Sequence, residues 1–412
     1  MTLINTLREK FQKKNLDLIF ILLLGVVVTF PLEKINPKFI FALFGVQLIL
    51  TFIRRKHIEF KATPFLWLLI FWYGLNIFGL LYTDNLPRAG NMISRQISLL
   101  LFPLFYAVYR VKNITFLFKA YIIAIASFIL IFELHTVYRF FYLSDTFPLN
   151  LKLFLSYRYT GAELTKLIAM HNTYFAIYVM FANVLIISFL SRVKKKIYII
   201  LLLLLVAFQS IFILQMVAKT AIILNTVIVI ASLSYFLSKG RRLKTLVFLI
   251  ALVLGTAWFT TTYFNLPMQR IVDRFVELQE GDRVTKETRY KIWKASIPII
   301  REHILLGVGT GDVEQELHKE YAKRGIASKS NIHNQYLDSL MRFGILGLLT
   351  FLVVFGFGFV RAVKTDNYVY FCFLVIIMGC CMTENILSRQ WGITFYACFN
   401  YLLYLNHPKK EQ

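Results

Sequence analysis

Long apolar runs separated by short clusters of lysine and arginine recur along this chain. Runs able to cross about 30 Å of hydrocarbon at about 1.5 Å per residue begin near 17, 38, 65, 92, 114, 170, 197, 218, 244, 339, 367 and 390. Stretches such as IYIILLLLLVAFQSIFILQM, 197–216, are continuously apolar. The strands of a closed barrel would instead alternate over about ten residues. The pattern predicts an all-α polytopic membrane protein with about 12 transmembrane helices.

The basic clusters set the expected orientation. Arg8, Lys10, Lys13 and Lys14 precede the first run, and Arg54, Arg55 and Lys56 follow the second. Further along come Arg110 with Lys112, Arg192 with Lys194, Lys195 and Lys196, and Lys239 with Arg241, Arg242 and Lys244. Arg361 with Lys364, and Lys409 with Lys410, complete the series. With twelve spans all of these fall on the face of the N-terminus, which the positive-inside rule makes cytoplasmic. Both termini are therefore expected in the cytoplasm. The basic start MTLINTLREKFQKKN runs into apolar sequence without a small-residue cleavage site, so it reads as an uncleaved first span.

The opposite face then receives short turns, a medium loop at about 134–169 and one long polar segment. This divides the chain into 1–263 with transmembrane helices one to nine, a large helical non-cytoplasmic loop at 264–338, and 339–412 with three further helices and a cytoplasmic tail. Within the loop, Ile292, Trp293, Ile297, Ile300 and Ile304 fit an amphipathic helix on the membrane face, bent at Pro298. Glycines 307, 309 and 311 predict a turn, and DVEQELHKEYAKRG a second short helix.

Composition agrees with this picture and removes competitors. A hydrophobic content of 58% against 17% charged residues excludes an ordinary soluble domain of this length. The net charge of +24 would suit nucleic acid, but its lysines and arginines lie between apolar runs, so a membrane explains them and no nucleic-acid partner is expected. Cys372, Cys380, Cys381 and Cys398 stand in apolar sequence without histidines at ligand spacing, and read as core residues. Neither a metal site nor a cofactor motif is visible. GVGTGD lacks the strand and helix of a dinucleotide fold, and reads as a turn.

The order TRYKIW, then GVGTGD, then HNQYLDSLMRFGILGLL resembles the signature of the O-antigen ligase and O-antigen polymerase superfamily, over about 155–360. The resemblance implies transfer of a glycan from undecaprenyl diphosphate to an acceptor hydroxyl at the outer, periplasmic face of the bacterial inner membrane. It makes His333 the catalytic histidine and Arg289 a diphosphate-binding arginine. A further basic element of the family falls on AKTAIILN, where Lys219 replaces the arginine. Lysine keeps the charge and loses the two-pronged geometry. RYTGAELTKLIAMHNTYFAIY is similar to an earlier element and adds Arg158, with His171 as a secondary candidate. The acceptor is a glycan on another lipid carrier, a lipid A core sugar or a protein hydroxyl, according to whether the chain is a polymerase, a ligase or a protein-glycosylating enzyme.

Physical chemistry reaches compatible roles. Moving a sugar off a lipid diphosphate needs a base for the incoming hydroxyl and cations for the departing phosphates. Histidine suits the first task near neutrality and arginine the second. Fixed cations stand where another enzyme would use a metal, so metal-independent transfer is expected. Glu384 and Arg389 are expected to pair across the outer mouth of the bundle, without a catalytic part. The competing class is a transporter or flippase of polysaccharide precursors. Against it stand the lack of a visible internal repeat and the placement of the largest polar segment outside the bundle.

Overall fold

A computed structural model describes residues 17–53, 59–144, 158–236, 288–326 and 330–406, with 154, 156 and 328. Among the described residues there are fourteen α-helices and no strand. In chain order they are α1 Leu18–Val28, α2 Asn36–Ile53, α3 Pro64–Phe78, α4 Leu86–Gln96, α5 Ser98–Val108, α6 Ile114–Ser144 and α7 Asn172–Leu190. They continue with α8 Lys196–Gln215, α9 Lys219–Phe236, α10 Thr288–Glu302, α11 Val313–Lys323, α12 Gln335–Lys364, α13 Tyr368–Cys381 and α14 Gln390–Leu405. Short polar side chains start several of them. Asp17 Oδ1 accepts from the Phe20 amide at 2.8 Å, Thr63 Oγ1 from Leu66 at 3.1 Å and Asn367 Oδ1 from Tyr370 at 3.1 Å. Such caps satisfy amides that hydrocarbon would leave unpaired.

Among the described residues, eight helical stretches are long and apolar enough to cross a membrane: Asn36–Ile53, Pro64–Tyr82, Leu86–Val108, Ile114–Tyr142, Asn172–Leu190, Lys196–Gln215, Lys219–Phe236 and Gln335–Lys364. Three of the remaining expected spans are shorter helices: α1 has 11 residues, α13 has 14 and α14 has 16. The run near 244 lies outside the described residues, as does the first part of the 264–338 segment.

Two boundaries differ from the hydropathy reading. The helix α6 continues to Ser144, where a loop was expected from about 134, because no proline or glycine interrupts 114–144. The run expected near 92 is two helices. Amphipathic α4, capped by Asn85 and carrying Pro87 in its first turn, leads into apolar α5.

The helix α7 is apolar on every side and buried along nearly its whole length, packed by α6, α8, α9 and α13. Aromatic pairs fill the space around it, with ring centroids 4.7 Å apart for Tyr178 and Phe395 and 4.9 Å for Phe181 and Phe399. The four cysteines are free and buried, as expected. Peripheral helices turn large apolar side chains outward, Phe41 at 83% and Leu48 at 71% exposure among them, the arrangement that lipid requires.

A second, smaller core joins α10, α11 and the start of α12 through Ile292, Ala295, Ile299, Leu317, Tyr321, Ile332 and Met341. Its inward face corrects the expected stripe. Ile292, Ala295 and Ile299 are buried and the expected Trp293 and Ile300 pack against them, while Ile297 and Ile304 are 44% and 43% exposed. Ile297 stands five residues from Ile292, about 140° around the helix, and Ile304 lies past its end. Pro298 sits inside α10 without ending it.

This small core meets the bundle at a break in α12, where Phe343 and Gly344 leave helical geometry. The carbonyls freed there are not left empty. Val308 N donates to Met341 O at 2.8 Å, Gly309 N to Arg342 O at 3.1 Å, and Ile345 N in turn donates to Ile304 O at 2.8 Å. GVGTGD is thus a structural turn, as read from the sequence. A Cβ on Gly307, whose φ is +73°, would meet the Arg342 carbonyl carbon at 2.4 Å. Its Asp312 carboxylate accepts from Thr83 Oγ1 and from the Asp84 and Asn85 amides, each at 2.8 Å, tying the turn to the start of α4.

Candidate active site

His333 lies just ahead of α12 and is one of few non-glycine residues with positive φ, at +49°. Such backbone persists only where surrounding contacts hold it. Here Asn331 Oδ1 accepts from the His333 amide at 3.1 Å, and Asn385 Oδ1 accepts from the Asn334 amide at 2.7 Å. Asn334 also donates from Nδ2 to Met382 O at 3.2 Å, while its Oδ1 caps α12. On the other side the indole of Trp293 donates to Ile332 O at 2.9 Å. The Trp-bearing helix α10 therefore grips the residue before the histidine.

Held this way, the His333 ring places Nδ1 3.0 Å from Glu384 Oε2 and 3.2 Å from Oε1. The glutamate side chain is 8% exposed and the histidine 28%, so the pair reaches solvent from the imidazole side. The expected Glu384–Arg389 pair is replaced by this one, since the chain turns after α13 so that Glu384 faces α12 and not Arg389. Burial raises the Glu384 carboxyl, but the hydrogen bond and charge of His333, then His171 and the Asn385 amide, outweigh it and leave it below its ordinary 4.5. An ionised carboxylate only accepts, so Nδ1 carries the proton toward Glu384, and the site for taking up a proton from an acceptor is Nε2.

A carboxylate held down in this way stabilises the fold above its unfolded titration range and loses that contribution as pH falls through its folded value. Wild type is expected to keep a higher unfolding temperature than Glu384→Gln near neutrality and to lose that margin below pH 4.5. A margin that persists unchanged through the acid range would remove the pair from the stability argument.

The other expected residues gather around the pair to different degrees. Arg289, exposed in the first turn of α10, stands four residues before Trp293 on the same helical face. Its charge, with those of Arg389 and His333, is felt at His171. Burial lowers the His171 imidazole; Glu384 raises it, and His333, Arg389 and Arg289 lower it further, so the net shift is downward. His171 also begins α7, its Nδ1 accepting from the Thr173 amide at 3.4 Å. Lys219 is the first residue of α9. Thr220 beside it bonds Thr383 Oγ1 at 2.9 Å, which sets Lys219 near the turn that bears Glu384. Arg158 is exposed and its carbonyl accepts from Arg139 at 3.4 Å.

Sequence reasoning passed over Glu384 as a functional partner and did not single out Arg88, Arg95 or Arg342. A lone glutamate after an apolar run was a signal for the first, and the seven-residue spacing of Arg88 and Arg95 on amphipathic α4 for the next two. Arg342, the eighth residue of α12, is buried with Asp338, Nη2 to Oδ1 being 2.9 Å. Nearby, Gln335 Oε1 accepts from Leu387 N at 2.9 Å and Asp338 Oδ2 from Ser388 Oγ at 3.1 Å. These buried bonds lock the start of α12 to the residues that precede Arg389. Among the described residues no group of three or more acidic, histidine or cysteine side chains forms a metal site.

Residues 213–352 match the family model described as O-Antigen ligase. The match runs from the end of α8 into α12 and includes Lys219, Arg289 and His333. Arg158, His171, Glu384 and Arg389 lie outside it. An uncharacterized protein of Haemophilus influenzae is 24% identical over 146 residues, 32% of this chain and 37% of that protein, so the chain spans well under half of that relative's length. The resemblance to the O-antigen ligase superfamily thus holds over residues 213–352, and with eight apolar helices among the described residues it supports a multi-pass bacterial membrane protein.

Proposed function

We propose that this protein joins a glycan carried on undecaprenyl diphosphate to an acceptor hydroxyl at the periplasmic face of the inner membrane, with both termini in the cytoplasm. The reading is carried by the imidazole of His333, held at 3.0 Å by a buried carboxylate. The helices α10 and α11 supply the periplasmic cover, and the match to O-antigen ligases supports the donor class.

The acceptor oxygen gives its proton to His333 Nε2 and forms a bond to the anomeric carbon. The bond from that carbon to the diphosphate oxygen breaks, and undecaprenyl diphosphate departs with the electron pair. Glu384 stabilises the imidazolium that results and keeps the ring oriented. Negative charge accumulating on the diphosphate is met by Arg289 and Lys219, with Arg158 in an outer position. These cations make transfer independent of metal and cofactor. The acceptor, whether lipid A core sugar, lipid-linked repeat or protein hydroxyl, meets the donor at the same imidazole.

The test is a reconstitution of purified protein in vesicles with a lipid-diphosphate glycan and a chelator. A new glycosidic product supports the reading, and passage of the donor across the bilayer without bond formation replaces it with a transporter. Arg289→Ala is expected to raise KM for the donor about tenfold, the loss of one charge-assisted phosphate contact. An unchanged donor KM would free Arg289 from the diphosphate.

A further inference from the structure

Beside the His333 group lies a cavity of about 290 Å³ that this mechanism leaves unused. Its walls include Arg88, Asn91, Arg95, Glu314, Arg342 and Arg389. The sequence builds it locally: Arg88 and Arg95 are seven residues apart on α4, which places them on one face about 10.5 Å apart along the axis. Arg342 rises from α12 and Arg389 precedes α14.

The charges in the cavity are unequal in freedom. Arg342 is committed to Asp338 and to the carbonyl of Thr310. Arg88 meets Glu314 in a pair exposed to water, with side chains 43% and 38% accessible, and such pairs exchange partners readily. Among the described residues, no carboxylate pairs with Arg95 or Arg389. Two uncompensated guanidinium groups and one loosely held one therefore converge on a space with an amide donor, Asn91, on its wall. That is the donor set of an oxyanion site.

We propose that this cavity seats a phosphate or carboxylate carried by the acceptor sugar. The acceptor assignment rests on the transfer reading; the anion site stands on its geometry. The cavity is at the small end of ligand pockets, sized for a sugar ring and its charged substituent, and its polar walls do not suit an isoprenoid. Arg289, assigned to the donor diphosphate, does not line it. Arg389 forms part of its wall and also acts on His171 and Tyr174 beside Glu384. An acceptor anchored there by its charge has its hydroxyl close to the proton-accepting imidazole.

The full chain in phosphatidylcholine nanodiscs is titrated with glucose 6-phosphate, glucuronate and glucose. Both charged sugars are expected to bind saturably and glucose not to. Arg95→Gln should weaken binding at least tenfold, about 1.4 kcal/mol, and His333→Ala should leave it intact. Equal binding of glucose, or unchanged binding by Arg95→Gln, overturns the site. Loss of sugar binding when phosphatidylglycerol replaces phosphatidylcholine assigns the cavity to a lipid headgroup and overturns the acceptor assignment.

In the transfer assay, with a phosphorylated acceptor and its phosphatase-treated form, Arg95→Gln should raise KM for the phosphorylated acceptor and leave donor KM alone. A rise confined to donor KM gives the cavity to the donor and overturns the assignment. Arginine-dependent binding without any transfer would sink the functional reading and leave the anion site standing; transfer unaffected by Arg95→Gln would do the reverse.

Discussion

His333→Ala is expected to lower the rate of glycan transfer by about 10² to 10⁴, the usual contribution of a positioned general base, without unfolding the protein. The side chain is only partly buried, and what fixes the segment is not the imidazole but the bonds from Asn331, Asn334 and Asn385 and the indole of Trp293. Those remain when the ring is removed. Alanine inherits the positive φ at +49°, which the same contacts continue to hold. The rate is read as product formed in proteoliposomes, with thermal unfolding and size-exclusion profile as controls for folding. A variant folded like wild type and within tenfold of its rate would take the base role away from His333.

The largest loss of stability is expected from Gly307→Ala. A methyl group there would lie 2.4 Å from the Arg342 carbonyl carbon, in backbone with φ at +73°, so either the turn or the break in α12 must move. Both are held by the Val308–Met341 and Gly309–Arg342 bonds, so the clash costs buried hydrogen bonds as well as strain. A loss of about 4 kcal/mol is expected, at the upper end for single substitutions. Gly325→Ala separates the two causes. Its φ is +64°, yet nothing lies within 4 Å of the added carbon, and it should cost only about 1 kcal/mol. Thermal unfolding in detergent compares them, and equal losses would show that conformation alone, not the contact with α12, makes Gly307 necessary.

Much of the candidate site was legible because its residues fall in short motifs. TRYKIW and HNQYL mark Arg289 and His333 directly, and the structure supplies the reason for their association: Trp293 donates to the carbonyl next to His333, four residues on from Arg289. The glycines of GVGTGD read as a turn, and they are one, threaded against the broken helix. Glu384 was visible as a residue and not as a partner, because 51 positions separate it from His333 and only the docking of 331–334 on 382–385 brings them together. The inward face of α10 was read correctly at Ile292, Trp293 and Ile300 and wrongly at Ile297 and Ile304: large isoleucines drew attention, whereas Ala295 is a contact point that a hydrophobicity count ranks low.

What the sequence determined by itself was the solvent and the secondary structure. A backbone in hydrocarbon must satisfy its own polar groups, so continuous apolar runs become helices whatever their neighbours. Where those helices break, which charges face one another, and which carboxylate meets the imidazole were decided only in the tertiary structure. Those outcomes depend on pairing groups far apart in the chain, and hydropathy, being a local property, carries no information about distant partners.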